Sequence, residues 1–176
     1  STASIGVYVV RRRQLIDLLE TCAAEGRTDF VKDILIRYKN VKRINAYNLD
    51  SYWRNIGSVD SYFRNNMDFL KPEVRDHFFR TTPGVYTKVE DLPPAKFNGE
   101  AVTSNSLIAS GCIINGSVEN SVLFKKVYVG NTCVIKNSII LTDVHIGDNC
   151  YIENCRVESR DAIKAITVHT GEAGNP

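Results

Sequence analysis

Hydrophobic residues in the first half of the chain recur at helical spacing. In RQLIDLLETCAAEG, from Arg13, and in TDFVKDILIRY, from Thr28, apolar side chains return every three or four residues. This period places them on one face of a helix. Gly26 is a suitable end for the first helix, and Thr28 or Asp29 a suitable N-cap for the second. We therefore expect two helices, each with one buried face.

Two more helices and two strands are predicted before residue 80. Ser58 is placed to cap VDSYFRNNMDFL, and a short helix begins at Pro72, which is tolerated in a first turn. IGVYVV, from Ile5, and VKRINAYNL, from Val41, are predicted strands. Two strands make too little sheet to cover the apolar faces of four helices. This half therefore resembles the second part of a larger α/β domain.

A six-residue repeat replaces the helical pattern in the last third of the chain. Three NS pairs and one NC pair recur at intervals of 15, 17 and 17 residues, at Asn105, Asn120, Asn137 and Asn154. Aliphatic residues six apart lie between them, at Leu123, Val129, Ile135 and Leu141. This rhythm is typical of a parallel β-helix, in which three short strands make one triangular coil around an aliphatic interior. The asparagines are expected to stack, with their amides hydrogen-bonded along the coils.

Prolines separate the two patterns. Pro93 and Pro94 prevent regular hydrogen bonding, and the helical period stops before them. We therefore predict an α/β region at residues 1–89, a linker at 90–104 and the β-helix at 105–176.

The cysteines are predicted to be structural. Cys112, Cys133 and Cys150 each follow an aliphatic residue by four positions, in IASGC, VGNTC and IGDNC. We expect them to stack at one corner of the β-helix as compact apolar side chains. The five cysteines include no C-x-x-C pair and the three histidines are scattered, which indicates neither a disulfide framework nor a zinc site.

Composition and charge narrow the function classes. A hydrophobic content of 43% and a charged content of 24% are ordinary for a globular chain, and the net charge of +2 is too small to indicate nucleic acid or a membrane as the main partner. The basic run at Arg11–Arg13 is interpreted as a solvated helix face. No window is apolar enough for a membrane span and no signal-peptide pattern is present, so a cytoplasmic protein is expected. No G-x-G motif is present to hold nucleotide phosphates.

Two separate groups of motifs resemble a known enzyme family. YWRNIGS from Tyr52 and SYFRNNMDF from Ser61 precede PPAKF from Pro93 and NSLIASGCIINGSVENSVLF from Asn105. Together they resemble the carboxy-terminal part of bacterial ADP-glucose pyrophosphorylase (glucose-1-phosphate adenylyltransferase), closest to the D-type subunit regarded as the non-catalytic partner in glycogen biosynthesis. The resemblance implies an α/β remnant of a nucleotidyltransferase domain followed by a left-handed parallel β-helix of hexapeptide repeats. The left hand comes from the resemblance alone, since it departs from the usual crossover rule.

The resemblance also implies a sugar pocket. The family's strand motif stands here as Ala3 to Tyr8, and its DF pair as Asp29 and Phe30. Asp29 has an alternative role as a helix N-cap, and Trp53 as a core residue. The positions that match the sugar-contacting residues are Ser4, Tyr8, Asp29, Phe30 and Trp53.

Asn55 departs from the family pattern. Catalytic relatives place an aspartate after WR, where it helps to hold the magnesium ion that bridges the sugar phosphate and the nucleotide. An amide is a weaker ligand than a carboxylate for this hard cation. We therefore expect no cofactor in this chain, Mg²⁺ only in complete catalytic members, and no catalytic residue here; in the alternative interpretation Asn55 only forms a turn before Gly57.

The resemblance implies a supporting role with protein partners. We expect a catalytic adenylyltransferase subunit as the partner, homo- or hetero-oligomers formed through the β-helix, and at most weak binding of glucose 1-phosphate or ADP-glucose. The alternative is a hexapeptide-repeat acyltransferase that uses acetyl-CoA, with His145 as general base. Because Ile146 is expected to point inward, His145 is expected to face outward.

Overall fold

The computed structural model describes residues 4–80, 84–172 and 176, and it forms two compact units. The first is Ser1–Trp53 and the second is Arg54–Pro176. Ala3, which opens the predicted strand motif, lies outside the described residues.

The first unit is helical where it has regular structure. It contains α1 at Arg12–Ala24 and a π-helix at Phe30–Ile36, where an α-helix was predicted. Only Cys22 and Ile34 are fully buried among its described residues. The predicted strands at residues 5–10 and 41–49 are wrong, because neither segment is in a strand. A strand needs a partner to satisfy its N–H and C=O groups, and no strand is present among the described residues of this unit.

The predicted helices before the β-helix are confirmed. α2 occupies Val59–Asp68 and α3 occupies Pro72–Phe79, with Pro72 in its first turn. The Ser58 side chain accepts a hydrogen bond from the Ser61 N–H at 3.1 Å, and the Ser61 side chain accepts one from the Ser58 N–H at 2.9 Å. This reciprocal capping fixes the start of α2 next to the loop that carries Asn55.

The predicted β-helix is confirmed, with every strand pair parallel. The first sheet contains β1 (Lys96–Phe97), β4 (Ile113–Ile114), β7 (Tyr128–Val129), β10 (His145–Ile146) and β13 (Ala162–Ile163). The second contains β2 (Val102–Ser104), β5 (Ser117–Glu119), β8 (Val134–Lys136), β11 (Tyr151–Glu153) and β14 (Val168–Thr170). The third contains β3 (Leu107–Ile108), β6 (Val122–Leu123), β9 (Ile139–Ile140) and β12 (Arg156–Val157). The repeating order of the three sheets and the hexapeptide spacing match a left-handed parallel β-helix.

Aliphatic side chains fill the prism in aligned columns. In the second sheet Val118 pairs with Ile135, and Ile135 with Ile152, and these three side chains are at most 1% exposed. The alternate positions of the same strands, such as Glu119, face outward. The period of two within each strand therefore separates the core from the surface.

The asparagine stack is confirmed at one corner. Asn105 Nδ2 donates to Asn120 Oδ1 at 2.8 Å, and Asn120 Nδ2 donates to Asn137 Oδ1 at 2.6 Å. These three asparagines and Asn154 have positive φ, between 43° and 54°, which asparagine tolerates better than most residues. The recurrent asparagine therefore both turns the chain and links successive coils; we call this row the asparagine ladder.

The cysteine prediction is correct for two residues and wrong for the third. Cys133 and Cys150 precede Val134 and Tyr151, which pair, so these two thiols share a corner. Cys112 precedes β4, in another sheet, and therefore lies at a different corner. The reason is a shorter turn: two residues join β4 to β5, whereas four join β7 to β8. The cysteine of IASGC therefore precedes a strand of the first sheet, whereas the cysteines of VGNTC and IGDNC precede strands of the second.

The predicted domain boundaries also need correction. Strands β1 and β2 lie within the predicted linker at 90–104, so the β-helix begins at Lys96. α2 and α3 belong to the same compact unit as the β-helix. Leu70 is 5% exposed and is buried together with Val122 and Ile139, which face out of the prism. An apolar outer face of the third sheet therefore packs against α2 and the turn that follows it, and the Pro93–Pro94 segment does not separate two units.

No helix among the described residues has both the length and the apolar character needed to cross a bilayer.

Candidate functional site

Three of the predicted sugar-pocket residues lie together in the first unit. The Ser4 and Tyr8 hydroxyls are 3.1 Å apart and share a hydrogen bond. The rings of Tyr8 and Phe30 are 4.8 Å apart between centroids and tilted by 33°. Gly6 adopts φ +77°, which returns the chain so that its N–H donates to Ser4 Oγ at 3.3 Å. The segment thus presents two hydroxyls beside an aromatic pair, a combination suited to a polyhydroxylated ligand.

The structure confirms one of the two alternative roles of Asp29, that of a helix N-cap. Its Oδ1 accepts hydrogen bonds from the Val31 and Lys32 N–H groups, both at 2.9 Å, so Asp29 is the N-cap of the π-helix. Its Oδ2 lies 3.9 Å from Lys32 Nζ at a partly exposed position. One carboxylate oxygen is therefore occupied by capping, and the other faces the exposed ammonium group of Lys32. A role of Asp29 in sugar binding stays a prediction.

The loop around Asn55 is held from α2. The Asn65 side chain donates to the Asn55 backbone carbonyl at 2.9 Å, one turn and a half into the helix. Trp53 is 38% exposed at the last position of the first unit, whereas Asn55 belongs to the second. The neighbouring Arg54 Nε lies 3.4 Å from Asp68 Oδ2. The backbone of the loop is thus anchored to α2, and the Asn55 side chain is exposed.

Asn55 stands where the family resemblance implies a carboxylate ligand for magnesium. Across residues 4–80 and 84–172, no group of three or more His, Cys, Asp or Glu side chains is placed to hold a metal ion. Mg²⁺ prefers carboxylate oxygens, and the matching position holds the amide of Asn55.

His145 faces outward, as predicted. It is exposed on β10, while Ile146 is 0% exposed. Its ring stacks on Tyr128 of the neighbouring strand at 4.4 Å, with 3° between the planes. Sequence reasoning missed this contact, because the 17-residue separation becomes visible only when β7 and β10 are aligned. The acyltransferase alternative stays a prediction.

The buried thiols are in environments that keep them protonated. Burial raises the pKa of Cys112 and Cys133 above the ordinary thiol value. Cys112 Sγ donates to the Phe124 carbonyl at 3.0 Å, and Cys133 Sγ to the Gly147 carbonyl at 2.9 Å. Since the thiolate is the reactive form, burial makes both cysteines less reactive than exposed thiols.

An open groove beside α2 was not predicted from the sequence. It has a volume of about 750 Å³ and is lined by side chains of α2, by Arg54 and Asn55 before the helix, and by Asn105 and Asn120 of the asparagine ladder. We call it the α2 groove. The NS repeat located the ladder, but only the packing of α2 on the third sheet brings it beside Asn55.

Comparison with known proteins agrees with this fold and with the resemblance. Residues 93–172 match the family model described as "GlmU-like, C-terminal hexapeptide". The chain is 37% identical over 136 residues to the glucose-1-phosphate adenylyltransferase of Thermosipho melanesiensis, covering 76% of this chain and 33% of that protein. It is 35% identical over 140 residues to the enzyme of the same name from Clostridium perfringens strain SM101, covering 77% and 36%. Over about three quarters of its length the chain is similar to glucose-1-phosphate adenylyltransferases.

The relatives also include a protein named for glycogen synthesis. The "Glycogen biosynthesis protein GlgD" of Bacillus subtilis strain 168 is 30% identical over 133 residues, covering 76% of this chain and 38% of that protein. The chain thus spans about a third of the length of the curated relatives it matches. The similarity to adenylyltransferases confirms the resemblance found in the sequence. The activity of this chain is taken up as a proposal, because only part of each relative is matched.

Proposed function

We propose that this chain is part of a glucose-1-phosphate adenylyltransferase-type subunit of glycogen synthesis that supports a catalytic partner and does not itself catalyse. The observation that carries the proposal is Asn55, an amide at the position of the expected metal-binding carboxylate, in a chain otherwise similar to adenylyltransferases. The relative named GlgD supports the assignment to glycogen synthesis.

The absence of a carboxylate has a large expected effect on catalysis. Adenylyl transfer from ATP to glucose 1-phosphate concentrates negative charge between two phosphate groups. A group that stabilises such charge contributes on the order of 10² to 10³ in rate. An uncharged Asn55 supplies no charge to hold a cation there, so the subunit is expected to be inactive by itself.

Sugar binding is proposed to persist weakly. The hydroxyls of Ser4 and Tyr8, the ring of Phe30 and the outer oxygen of Asp29 offer both hydrogen-bond partners and an aromatic face. Such a set suits a hexose, with Trp53 as a further aromatic wall. Glucose 1-phosphate or ADP-glucose is therefore expected to bind weakly, without turnover.

The β-helix supports the partner role. Its core is closed to solvent, but Phe97 at its first coil and Val168 at its last are 50% and 70% exposed. Strand edges with unpaired backbone groups are suited to pairing with another chain. We propose a catalytic adenylyltransferase subunit as the occupant, in a homo- or hetero-oligomer formed through the β-helix.

The partner role is tested by co-purification with a catalytic glucose-1-phosphate adenylyltransferase. ADP-glucose formation is measured with and without this chain, across a range of effector concentrations. We expect co-elution and a changed rate or a changed effector response. Co-elution with an unchanged rate and response would leave a tethering role only, and separate elution would overturn the proposal.

The Asn55 interpretation is tested by Asn55→Asp in the complete subunit. Restoring the carboxylate is expected to give Mg²⁺-dependent release of pyrophosphate from ATP and glucose 1-phosphate, because the cation regains a charged ligand. Asn40→Asp, at another exposed asparagine, is the charge-matched control. No gain over the control would contradict the interpretation and favour a turn-forming role for Asn55.

A further inference from the structure

The α2 groove has the size and position of a ligand site. Its volume of about 750 Å³ lies within the range of ~300–1,000 Å³ that is usual for small-molecule sites. Its walls come from α2 and from the asparagine ladder, which are joined by the buried cluster of Leu70, Val122 and Ile139. The walls are thus fixed relative to each other by apolar packing rather than by loops.

Amides dominate the uncharged polar surface of the groove. Each amide offers one acceptor oxygen and two donor hydrogens. Within the ladder, Asn105 Nδ2 donates to Asn120 Oδ1, so the carbonyl oxygen of Asn105 is not used in the ladder. The amide side chains that line the groove are Asn55, Asn65, Asn105 and Asn120. Such groups match hydroxyls, which also both donate and accept hydrogen bonds.

The charges in the groove are paired with one another. Arg64 Nη2 lies 3.0 Å from Asp60 Oδ2, and Lys71 Nζ lies 2.6 Å from Asp68 Oδ1. Arg54 also pairs with Asp68. Three cations thus face two carboxylates, so most of the positive charge is balanced. Physiological salt screens the remainder, and the groove attracts free ions only weakly. Carboxylate and guanidinium groups side by side still bind a neutral ligand that both donates and accepts.

An apolar strip completes the groove. Phe63, Met67 and Leu70 line it and also pack against the β-helix. A sugar ring combines hydroxyls on its rim with C–H groups on its face. The alternation of amides, paired charges and apolar side chains in one groove matches that combination, whereas a phosphate would need unpaired cations.

We propose that the α2 groove binds a neutral carbohydrate chain. Hydroxyls bond to the asparagine amides and to the Asp60–Arg64 pair, and ring faces lie on Phe63 and Met67. The inference does not depend on the proposed subunit role, because every residue it uses lies in the second unit and the test measures binding alone.

The test is a nuclear magnetic resonance titration of the full chain labelled with ¹⁵N. The side-chain amide signals of Asn105 and Asn120 report directly on the groove. Maltotriose at millimolar concentration is expected to shift both, while inorganic phosphate at the same concentration leaves them in place. No shift with maltotriose, or a shift with phosphate alone, would overturn the proposal.

Variants test whether the groove residues make the contact. Asn105→Gly removes the amide but keeps the positive φ of 43°, and Asn154→Gly, at φ 54° outside the groove, is its matched control. Asn105→Gly is expected to weaken maltotriose binding about fivefold, as loss of one hydrogen bond does, read from the Asn120 signal. If both variants weakened maltotriose binding equally, the effect would come from a general change in the asparagine ladder. That result would overturn the proposed binding site.

A surface variant covers the case in which Asn105→Gly does not fold. Arg64→Gln changes a side chain that is 72% exposed, so folding is not at risk. It is expected to weaken maltotriose binding because Asp60 loses its partner in the groove. Arg160→Gln, exposed on the last coil, is the control. Unchanged binding with Arg64→Gln would contradict the proposed contact.

Discussion

Single residues determine how tightly the coils stack. The corner that contains Cys133 and Cys150 continues in the preceding coil as Gly116, because Ser117 pairs with Val134. A Cβ at Gly116 would lie 2.5 Å from the Cys133 carbonyl oxygen and 2.9 Å from its nitrogen. No side chain can occupy this space without moving the backbone of the next coil. Glycine is therefore required here by close approach, not by an unusual φ.

Gly116→Ala is expected to destabilise the β-helix. The added methyl group overlaps fixed backbone atoms, and overpacking of this kind typically costs about 1–3 kcal/mol. Urea unfolding followed by the tyrosine signal measures the change. Gly99→Ala is the control, because a Cβ at Gly99 meets no atom within 4 Å. Equal stability of the two variants would show that the coils separate easily at this corner.

A surface ion pair makes the first unit sensitive to acid. The Arg37 guanidinium hydrogen-bonds the Glu25 carboxylate and lowers its pKa below the ordinary 4.5, while partial desolvation acts in the opposite direction. A carboxylate whose pKa is lower in the folded state stabilises that state at pH values above its unfolded-state pKa. This stabilisation is lost as the pH falls through the folded-state pKa. We expect the midpoint of thermal unfolding of the first unit to fall on acidification below pH 4.5.

The matched variant isolates this carboxylate. Glu25→Gln keeps the shape of the side chain and removes its titration, so the pH dependence in that window should become shallower. Glu20→Gln, an exposed residue on α1, is the control. A pH profile of Glu25→Gln identical to that of the unsubstituted chain would contradict the assignment.

At the scale of elements, the docking of α2 on the third sheet is the main feature that sequence periodicity did not reveal. The helical period correctly predicted the apolar face of α2, with Phe63, Met67 and Leu70 on it. The hexapeptide period correctly predicted inward residues such as Leu123 and Ile140. Val122 and Ile139 are apolar too, although they point out of the prism. Two consecutive apolar residues per strand indicate a strand covered on both faces.

Leu70→Ala tests this docking. Leu70 is 5% exposed in the cluster with Val122 and Ile139, and truncation of a buried leucine costs about 2–5 kcal/mol. The unfolding free energy of the second unit is expected to fall by that amount. Leu19→Ala, on the exposed side of α1 at 48% exposure, is expected to change stability by less than about 0.5 kcal/mol. A cost for Leu70→Ala as small as for Leu19→Ala would mean that α2 and the turn after it are not firmly packed on the sheet.

At the scale of the whole molecule, burial is unevenly distributed. Among the described residues, the first unit has two fully buried hydrophobic side chains, Cys22 and Ile34, while the β-helix core is continuous from Cys112 to Ile163. Local stability follows buried apolar contacts and protected hydrogen bonds. The first unit should therefore open more readily than the second.

Hydrogen exchange measured by mass spectrometry checks this difference. Peptides from α1 are expected to exchange their amides much faster than peptides from β8 and β11, whose N–H groups bond between coils. The exposed loop at residues 84–89 gives the fastest amide exchange rate expected within the second unit. Equal protection of α1 and β8 would contradict the uneven distribution of stability.

The sequence alone determined the local structure that short periods encode. Spacing of three and four predicted α1 and α2, a side-chain cap predicted the start at Ser58, and a six-residue rhythm predicted the parallel coils and the asparagine ladder. These follow from neighbours along the chain or from one repeated unit. The strand predicted at Ile5 failed for the opposite reason, since its backbone needs a distant partner.

Tertiary structure decided what depends on alignment of distant segments. The corner of Cys112, the stack of Tyr128 on His145, the start of the β-helix at Lys96 and the α2 groove all depend on which residues face each other across coils. A turn that is two residues shorter changes that alignment without disturbing the apolar rhythm. The sequence therefore specified the kind of coil, and the register between coils decided which side chains meet.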